Sequence, residues 1–215
     1  RRDDTREHLK EKVRVATILG TFQSTLTEFK YLSREWKRNC DEERLLGVSL
    51  TGIMDNPITN GTRSGLSKLL EELRDIAYET NKEWAEKLGI PPSAAITCVK
   101  PSGTVSQLVD SASGIHARHN PFYIRTVRAD NKDPLCNLMK EMGFPNEPDV
   151  TKPDHTTVFS FPMKSPKDAV FRMDMTALEQ LELWKTYATS WCEHKPSVTI
   201  SVKEDEWVDV AAWVY

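Results

Sequence analysis

The sequence predicts a mixed α/β fold, and three observations support this class. Apolar residues recur at helical spacing over long segments, as in residues 64–88. Short apolar runs rich in β-branched residues, such as residues 94–99, lie between these segments. Turn-forming residues cluster where one kind of segment gives way to the next. Strands that alternate with long helices are typical of layered or barrel α/β architectures.

Three elements are expected in the first half of the chain. The spacing of Leu9 and Val13 predicts a helix over residues 5–19. Residues 44–53 are apolar and contain two glycines, which weaken a helix, so we expect a buried strand there. The clearest helix spans residues 64–88, with Ser64 as its N-cap and Gly89 as its stop.

The second half is expected to add strands and shorter helices. One helix begins at Asp133-Pro134 and ends at Gly143, and Thr176 with Glu179 forms the capping box of another. Strands are predicted at residues 94–99, 122–128, 158–161 (ended by Pro162) and 197–202. No internal repeat, low-complexity tract or linker interrupts the pattern. At roughly 100–200 residues per domain, the length predicts one domain or two.

Composition and charge exclude several classes of partner. The 215 residues carry 29 Lys and Arg against 32 Asp and Glu, a net charge of −3, whereas non-specific nucleic-acid binding needs a basic surface. No apolar run approaches the roughly 20 residues of a membrane span. The four cysteines form no C-x-x-C pair, and no apolar signal peptide precedes them, so we expect reduced, cytoplasmic thiols and no metal site. The charged start at Arg1 and the apolar end at Tyr215 lead us to expect an internal piece of a longer protein.

The segment KPSGTVS at residues 100–106 is the most informative for chemistry. It follows an apolar run and precedes a short helical pattern, a geometry that leaves backbone N–H groups unpaired and able to bind phosphate. The alternative is an ordinary Pro-Ser-Gly turn capped by Thr104, and these residues taken alone favour that turn. The segment is neither a Walker A loop nor G-x-G-x-x-G.

Two other segments invite a functional interpretation. Residues 116–128 contain three Arg and two His without an acid, so His116 and Arg118 either face an anionic ligand or belong to a solvated basic loop. Metal binding by His116 and His119 is disfavoured because no cysteine or carboxylate cluster lies nearby. Residues 191–194 (WCEH) suggest a Cys/His nucleophile, but their place at the end of a helix favours a dipole interaction of the histidine instead.

Five segments occur in a recognisable order: residues 47–53 (GVSLTGI), 100–106 (KPSGTVS), 113–118 (SGIHAR), 123–125 (YIR) and 194–199 (HKPSVT). Together they resemble the catalytic chain of ribonucleotide reductases. The pattern is closest to the monomeric class II, adenosylcobalamin-dependent ribonucleoside-triphosphate reductases, and residues 20–27 (GTFQSTLT) also look like that subgroup. The resemblance covers nearly the whole chain from Val13.

The resemblance implies a fold, a reaction and a substrate site. The family fold is a ten-stranded α/β barrel, of which residues 1–215 look like a C-terminal part. The family reaction replaces the ribose 2′-OH of a ribonucleoside triphosphate by hydrogen, with adenosylcobalamin generating a cysteine thiyl radical and a dithiol such as thioredoxin supplying electrons. The implied substrate-binding residues are Pro101, Ser102, Gly103, Thr104, Val105 and Ser106.

The family's catalytic motifs are missing from this sequence. It contains neither the Asn-Pro-Cys-x-Glu finger loop nor the C-terminal cysteine pair, so Cys40, Cys98, Cys136 and Cys192 receive no redox role and no catalytic, metal or cofactor residue is assigned. We therefore expect no turnover by the isolated chain. Three alternatives stay open: a diphosphate-reducing class of the same superfamily, a non-catalytic nucleotide-phosphate binding module, and a structural fragment.

Overall fold

A computed structural model describes residues 2–215, which divide into two compact units. The first unit comprises residues 2–118 and Asp168–Tyr215, and the second comprises His119–Lys167. Among residues 2–215, no helix is both long and apolar enough to cross a membrane. In the first unit the elements are α1 (Arg6–Gln23), α2 (Arg34–Glu43), β1 (Val48–Ser49), α3 (Leu66–Leu88), β2 (Thr97–Cys98), α4 (Val105–Leu108), α6 (Ala177–Ser190) and α7 (Trp207–Val214).

The core of the first unit forms around α3. This helix packs against α1 on one side and α6 on another, and β1 pairs with β2 in parallel with Val48 opposite Thr97. Leu70, Leu73 and Ala77 of α3 are fully buried, and together with the rest of their stripe they confirm the predicted amphipathic helix. The short parallel pair therefore rests on a helical layer that fixes its position.

Helix ends follow the predicted chemistry at most positions. Thr5 and His8 cap α1 reciprocally, and the helix continues beyond the predicted end to Gln23. The capping box of Thr176 and Glu179 opens α6 as predicted. The expected N-cap of α3 at Ser64 is wrong: Gly65 takes that position with a left-handed φ of 84°, which glycine adopts at low cost.

Three predicted strands are shorter than expected or absent. In residues 44–53 only Val48–Ser49 is extended, because Gly52 turns the chain at φ 70° into a 3₁₀ turn, Ile53–Asp55. In residues 94–99 only Thr97–Cys98 is extended. The strand at residues 197–202 is absent: none of the strands within residues 2–215 pairs with this segment, and the Ser201 N–H donates instead to the amide oxygen of Gln180.

The second unit is an antiparallel sheet with one helix. Its elements are β3 (Phe122–Asp130), α5 (Pro134–Glu141), β4 (Asn146–Pro148) and β5 (Thr156–Lys164). Its strand order is β3-β5-β4, and β5 runs through Pro162, so the predicted strand end there is wrong. At Pro162 the strand pairs only with β3, and the missing N–H therefore removes no bond to β4.

Candidate functional site

The segment at residues 101–106 leaves the carboxyl end of β2 and enters α4. Parallel strands present their carboxyl ends at one edge of a sheet, which is where α/β proteins commonly bind ligands. The ends of β1 and β2 are joined there by a hydrogen bond from the Lys100 N–H to the Ser49 hydroxyl at 3.0 Å. The structure thus shows the strand-to-helix turn that the sequence predicts.

Three consecutive backbone amides in this turn are unpaired. The N–H groups of Gly103, Thr104 and Val105 donate to no acceptor within residues 2–215. All three residues are exposed, and a Cβ added to Gly103 would meet no heavy atom within 4 Å. An anion can therefore approach these amides without displacing protein atoms. Because α4 has only four residues, attraction to an anion would come from the individual N–H groups rather than from a helix dipole.

The hydroxyl groups of the loop differ in availability. Ser106 is buried, and its hydroxyl donates to the Ser102 carbonyl at 2.8 Å, so it faces inward. The Ser102 N–H donates to the Ser113 hydroxyl at 2.9 Å, and the Ser102 hydroxyl lies 3.2 Å from Thr51 Oγ1. Thr104 stands at the N-cap position of α4, but its side chain forms no capping bond. The capped-turn alternative therefore lacks the hydrogen bond that defines it.

A groove of about 620 Å³ lies beside this loop. Its lining includes Lys12, Ser49, Thr51 and Val109. Gly103, Thr104 and Val105 do not line this groove.

A carboxylate and a lysine form an ion pair at the rim of this groove. Lys12 Nζ lies 2.6 Å from Asp4 Oδ1, and both residues belong to the groove lining. Burial disfavours ionisation of Asp4, but its hydrogen bonds, above all with Lys12, lower the pKa of that carboxyl below its ordinary value. The groove therefore presents a neutralised ion pair rather than a free cation.

Arg118 is buried and bonded to a carboxylate, so it does not face a ligand as hypothesised. Its Nε and Nη2 each lie 2.8 Å from a different oxygen of Asp55, and the Ala112 N–H donates to Asp55 at 2.7 Å. Arg118 is 7% exposed and Asp55 1%. The pair ties the loop after α4 to the turn after β1. His116 is half-buried, with Nδ1 3.0 Å from the Ser113 carbonyl.

Residues 191–194 join the end of α6 to the two strands. The Glu193 carboxylate accepts from the Ile96 N–H at 2.7 Å and from the Tyr78 hydroxyl at 2.6 Å, while His194 Nε2 lies 2.9 Å from the Leu46 carbonyl. Burial raises the pKa of the Cys192 thiol to about 12, which leaves almost no thiolate at neutral pH. The bonds of residues 191–194 connect the end of α6 to the two strands, so the role of this segment is structural. This agrees with its interpretation as a helix end rather than as a nucleophile.

The other cysteines show no arrangement for redox or metal chemistry. Cys98 and Cys136 are buried, and burial raises the pKa of the Cys98 thiol. All four cysteines are free thiols. Within residues 2–215, no group of three or more His, Cys, Asp or Glu side chains is placed to hold a metal ion.

The described residues do not mark a site for adenosylcobalamin, the cofactor that the resemblance implies. A large ligand needs convergent polar groups on a shaped apolar surface. The buried side-chain atoms that lack a partner within residues 2–215 lie on separate segments, and none lines the groove beside the loop or a larger, mostly apolar groove of about 770 Å³ next to α1, α2 and β1. They are Trp84 Nε1, Ser111 Oγ, Arg125 Nε and Gln180 Nε2. The described residues therefore do not form a site that fits the cofactor.

Comparison with known proteins gives a consistent result. No protein-family model matches the chain. An adenosylcobalamin-dependent ribonucleoside-triphosphate reductase from Euglena gracilis is 30% identical over 198 residues, covering 92% of this chain and 27% of that protein. One of the same name from Lactobacillus acidophilus is 28% identical, covering 95% of this chain and 31% of that protein. The resemblance to ribonucleotide reductases is confirmed.

The fold of a solved ribonucleotide reductase agrees with the sequence relationship. The crystal structure of a B12-dependent, class II ribonucleotide reductase superposes with a TM-score of 0.76 at 21% identity, covering 94% of this chain and 32% of that one. This likeness confirms the predicted α/β class and the relation to part of the ribonucleotide reductase barrel. The chain spans about a third or less of the length of these relatives.

Proposed function

We propose that this chain supplies the substrate-phosphate loop of a ribonucleoside-triphosphate reductase that makes 2′-deoxyribonucleoside triphosphates for DNA synthesis. The observation that carries the proposal is the run of three unpaired amides at Gly103, Thr104 and Val105. The segment that holds them is also one of the five that resemble the family. Relatives named as adenosylcobalamin-dependent ribonucleoside-triphosphate reductases support the reaction class.

The chemistry of the loop suits a polyphosphate. Each N–H that donates to a phosphate oxygen makes a charge-assisted bond, worth about 1.5–3 kcal/mol. Residues 99–109 contain no acid, and Lys100 is exposed, so no carboxylate of the loop repels the anion. The phosphates do not change during reduction of the ribose, and these residues therefore act by binding and orienting the substrate.

The radical and redox steps belong to groups that the described residues do not provide. The four cysteines are free thiols, and neither a metal cluster nor a corrin site is marked in residues 2–215. Adenosylcobalamin would supply the radical that starts the reaction, and a dithiol such as thioredoxin would supply the electrons. In this proposal the chain contributes to substrate affinity.

Substitution of Gly103 by alanine tests the phosphate loop directly. The added methyl group meets no protein atom within 4 Å, so the fold is expected to persist, whereas the methyl group occupies space that a bound phosphate needs. We expect Gly103→Ala to weaken binding of CTP about 10- to 100-fold, which corresponds to the loss of one charge-assisted bond.

Gly20→Ala is the matched control for that experiment. Its Cβ makes only an ordinary contact, 3.5 Å from Leu46, and it lies within α1 away from the loop. Binding by equilibrium titration should be unchanged in this variant. Equal CTP affinity for Gly103→Ala and the unsubstituted protein would overturn the proposed role of the loop.

The alternatives make different predictions for substrate choice and turnover. A diphosphate-reducing enzyme would bind CDP more tightly than CTP, because its site accommodates one phosphate fewer. A non-catalytic module would bind nucleotides without forming any deoxynucleotide. An anaerobic reduction assay on the full-length protein, with adenosylcobalamin, a dithiol and either CTP or CDP, distinguishes the three.

A further inference from the structure

The hydroxyl group of Thr51 lies at the centre of a small hydrogen-bond network beside the phosphate loop. Thr51 Oγ1 is 3.0 Å from the Gly114 N–H, 3.2 Å from the Ala112 carbonyl oxygen and 3.2 Å from Ser102 Oγ. A hydroxyl group has one proton to donate and two lone pairs that accept. One lone pair receives the Gly114 N–H. The remaining lone pair and the proton are shared between Ala112 and Ser102.

Two proton arrangements satisfy this network. In the first, Thr51 donates to the Ala112 carbonyl, and the Ser102 hydroxyl donates to Thr51. In the second, Thr51 donates to Ser102 Oγ, and the Ser102 proton becomes available to another acceptor. The Ala112 carbonyl also accepts from the Gly52 N–H at 2.8 Å, so it remains hydrogen-bonded in both arrangements. The exchange therefore leaves no carbonyl unsatisfied.

The backbone of Ser102 is held in place independently of its hydroxyl. Its N–H donates to Ser113 Oγ at 2.9 Å, and its carbonyl accepts from the Ser106 hydroxyl at 2.8 Å. The Ser102 hydroxyl proton can therefore still rotate about the Cβ–Oγ bond. The hydrogen bond to Thr51 determines which way that proton points. Ser102 directly precedes the unpaired amides of Gly103, Thr104 and Val105.

We propose that Thr51 is a positioning residue that orients the Ser102 hydroxyl toward a bound substrate phosphate. The inference rests on the proposed phosphate loop. When a triphosphate occupies the loop, the Thr51 hydroxyl donates a hydrogen bond to Ser102 Oγ, and the Ser102 hydroxyl donates one to a phosphate oxygen. Without a ligand, the Ser102 hydroxyl turns back and donates to Thr51 Oγ1. Thr51 acts only through Ser102 and does not touch the substrate.

A double-mutant cycle on the full-length protein tests this coupling. The variants are Thr51→Val, Ser102→Ala and the double substitution, and the probes are CTP and inorganic tripolyphosphate. We expect Ser102→Ala, which removes a charge-assisted bond to phosphate, to weaken both probes about 10- to 100-fold. Thr51→Val removes only the orienting neutral bond and should weaken them about 3- to 10-fold. The double variant should bind no more weakly than Ser102→Ala, because Thr51 has no effect once its partner is absent.

Two further variants separate positioning from general loss of structure. Thr51→Ser keeps the hydroxyl and should restore binding to within about twofold of the unsubstituted protein. Thr186→Val removes a hydroxyl that donates to the Glu182 carbonyl within α6 and should leave binding unchanged. In the reduction assay, Thr51→Val should raise KM and leave kcat unchanged, a split that a merely structural loss would not produce.

The outcomes distinguish this inference from the proposed function. If Ser102→Ala weakens CTP binding and the double variant shows the sum of both single effects, Thr51 and Ser102 are not coupled. The inference about Thr51 is then overturned, while the proposed phosphate loop is still supported. The inference is equally overturned if Thr51→Ser binds as weakly as Thr51→Val. If Ser102→Ala and Gly103→Ala both leave CTP affinity unchanged, the proposed phosphate loop is itself wrong.

Discussion

Arg118 and Arg128 provide a matched pair of substitutions that measures the effect of burial on an ion pair. Each arginine contacts an aspartate at close range: Arg118 Nη2 lies 2.8 Å from Asp55, and Arg128 Nε lies 2.7 Å from Asp149. The arginine side chains differ in exposure, 6% for Arg118 and 69% for Arg128. Both aspartates are buried, so the comparison holds residue type and distance nearly constant and varies the burial of the arginine.

The expected magnitudes follow from what each substitution leaves behind. Arg118→Leu leaves the Asp55 carboxylate buried with one remaining donor, the Ala112 N–H, so we expect a loss of about 3–5 kcal/mol in the free energy of unfolding. At about 2–4 °C per kcal/mol for a chain of this size, the melting temperature should fall by roughly 6–20 °C. Asp149 is also buried, at 4% exposure, but Arg128→Leu removes an exposed partner and leaves three donors on Asp149 Oδ1, two from Thr151 and one from the Lys152 N–H. We therefore expect a smaller loss, about 1–2 kcal/mol.

Equilibrium unfolding in urea measures both variants, with the slope of the transition checked for a change in cooperativity. Because Arg118 and Arg128 belong to different compact units, each transition should be followed by a probe in its own unit. A loss for Arg118→Leu no greater than that for Arg128→Leu would refute the account of Asp55 and Arg118 as a buried structural pair.

Two further predictions concern acid stability and backbone strain. Burial disfavours ionisation of Glu193, but two hydroxyl groups and two backbone N–H groups donate to it and lower its pKa. Its contribution to stability is therefore present above pH 4.5 and is lost as the pH falls through the folded-state pKa. Urea titrations should show that Glu193→Gln is less sensitive to acid than the unsubstituted protein, and equal acid sensitivity would contradict this. Gly52→Ala should lower the melting temperature more than Gly89→Ala. Both glycines have a positive φ, but only at Gly52 would an added Cβ clash, 2.8 Å from Ser111 Cβ. Thermal unfolding that ranks the two variants the other way would contradict this.

Long periodic segments were predictable from the sequence, and weakly patterned ones were not. The stripe of α3 and the capping box of α6 are local signals, and both elements form where expected. Helix α2 buries none of its residues, so no apolar periodicity marks it. The strand predicted at residues 197–202 has the right alternation, but strand formation depends on a partner strand, which a local pattern cannot specify.

The candidate site was predictable only in part for the same reason. Residues 101–106 carry their own turn chemistry, which predicted the strand-to-helix connection. The contact between Thr51 and Ser102 joins residues 51 positions apart, and the pair of Asp55 and Arg118 joins residues 63 positions apart. Such contacts depend on parallel pairing of β1 with β2 and on the turn at Gly52. Without that topology, Arg118 looks like one member of a basic stretch.

The most direct test of the central claim is to observe the loop amides while a nucleotide binds. In an amide-resolved NMR titration of the ¹⁵N-labelled protein with CTP, the resonances of Gly103, Thr104 and Val105 should move downfield as their N–H groups form bonds to phosphate. Inorganic tripolyphosphate should move the same resonances, because the phosphate chain is the group that they recognise. CTP binding that leaves these three resonances unmoved while others shift would contradict the account.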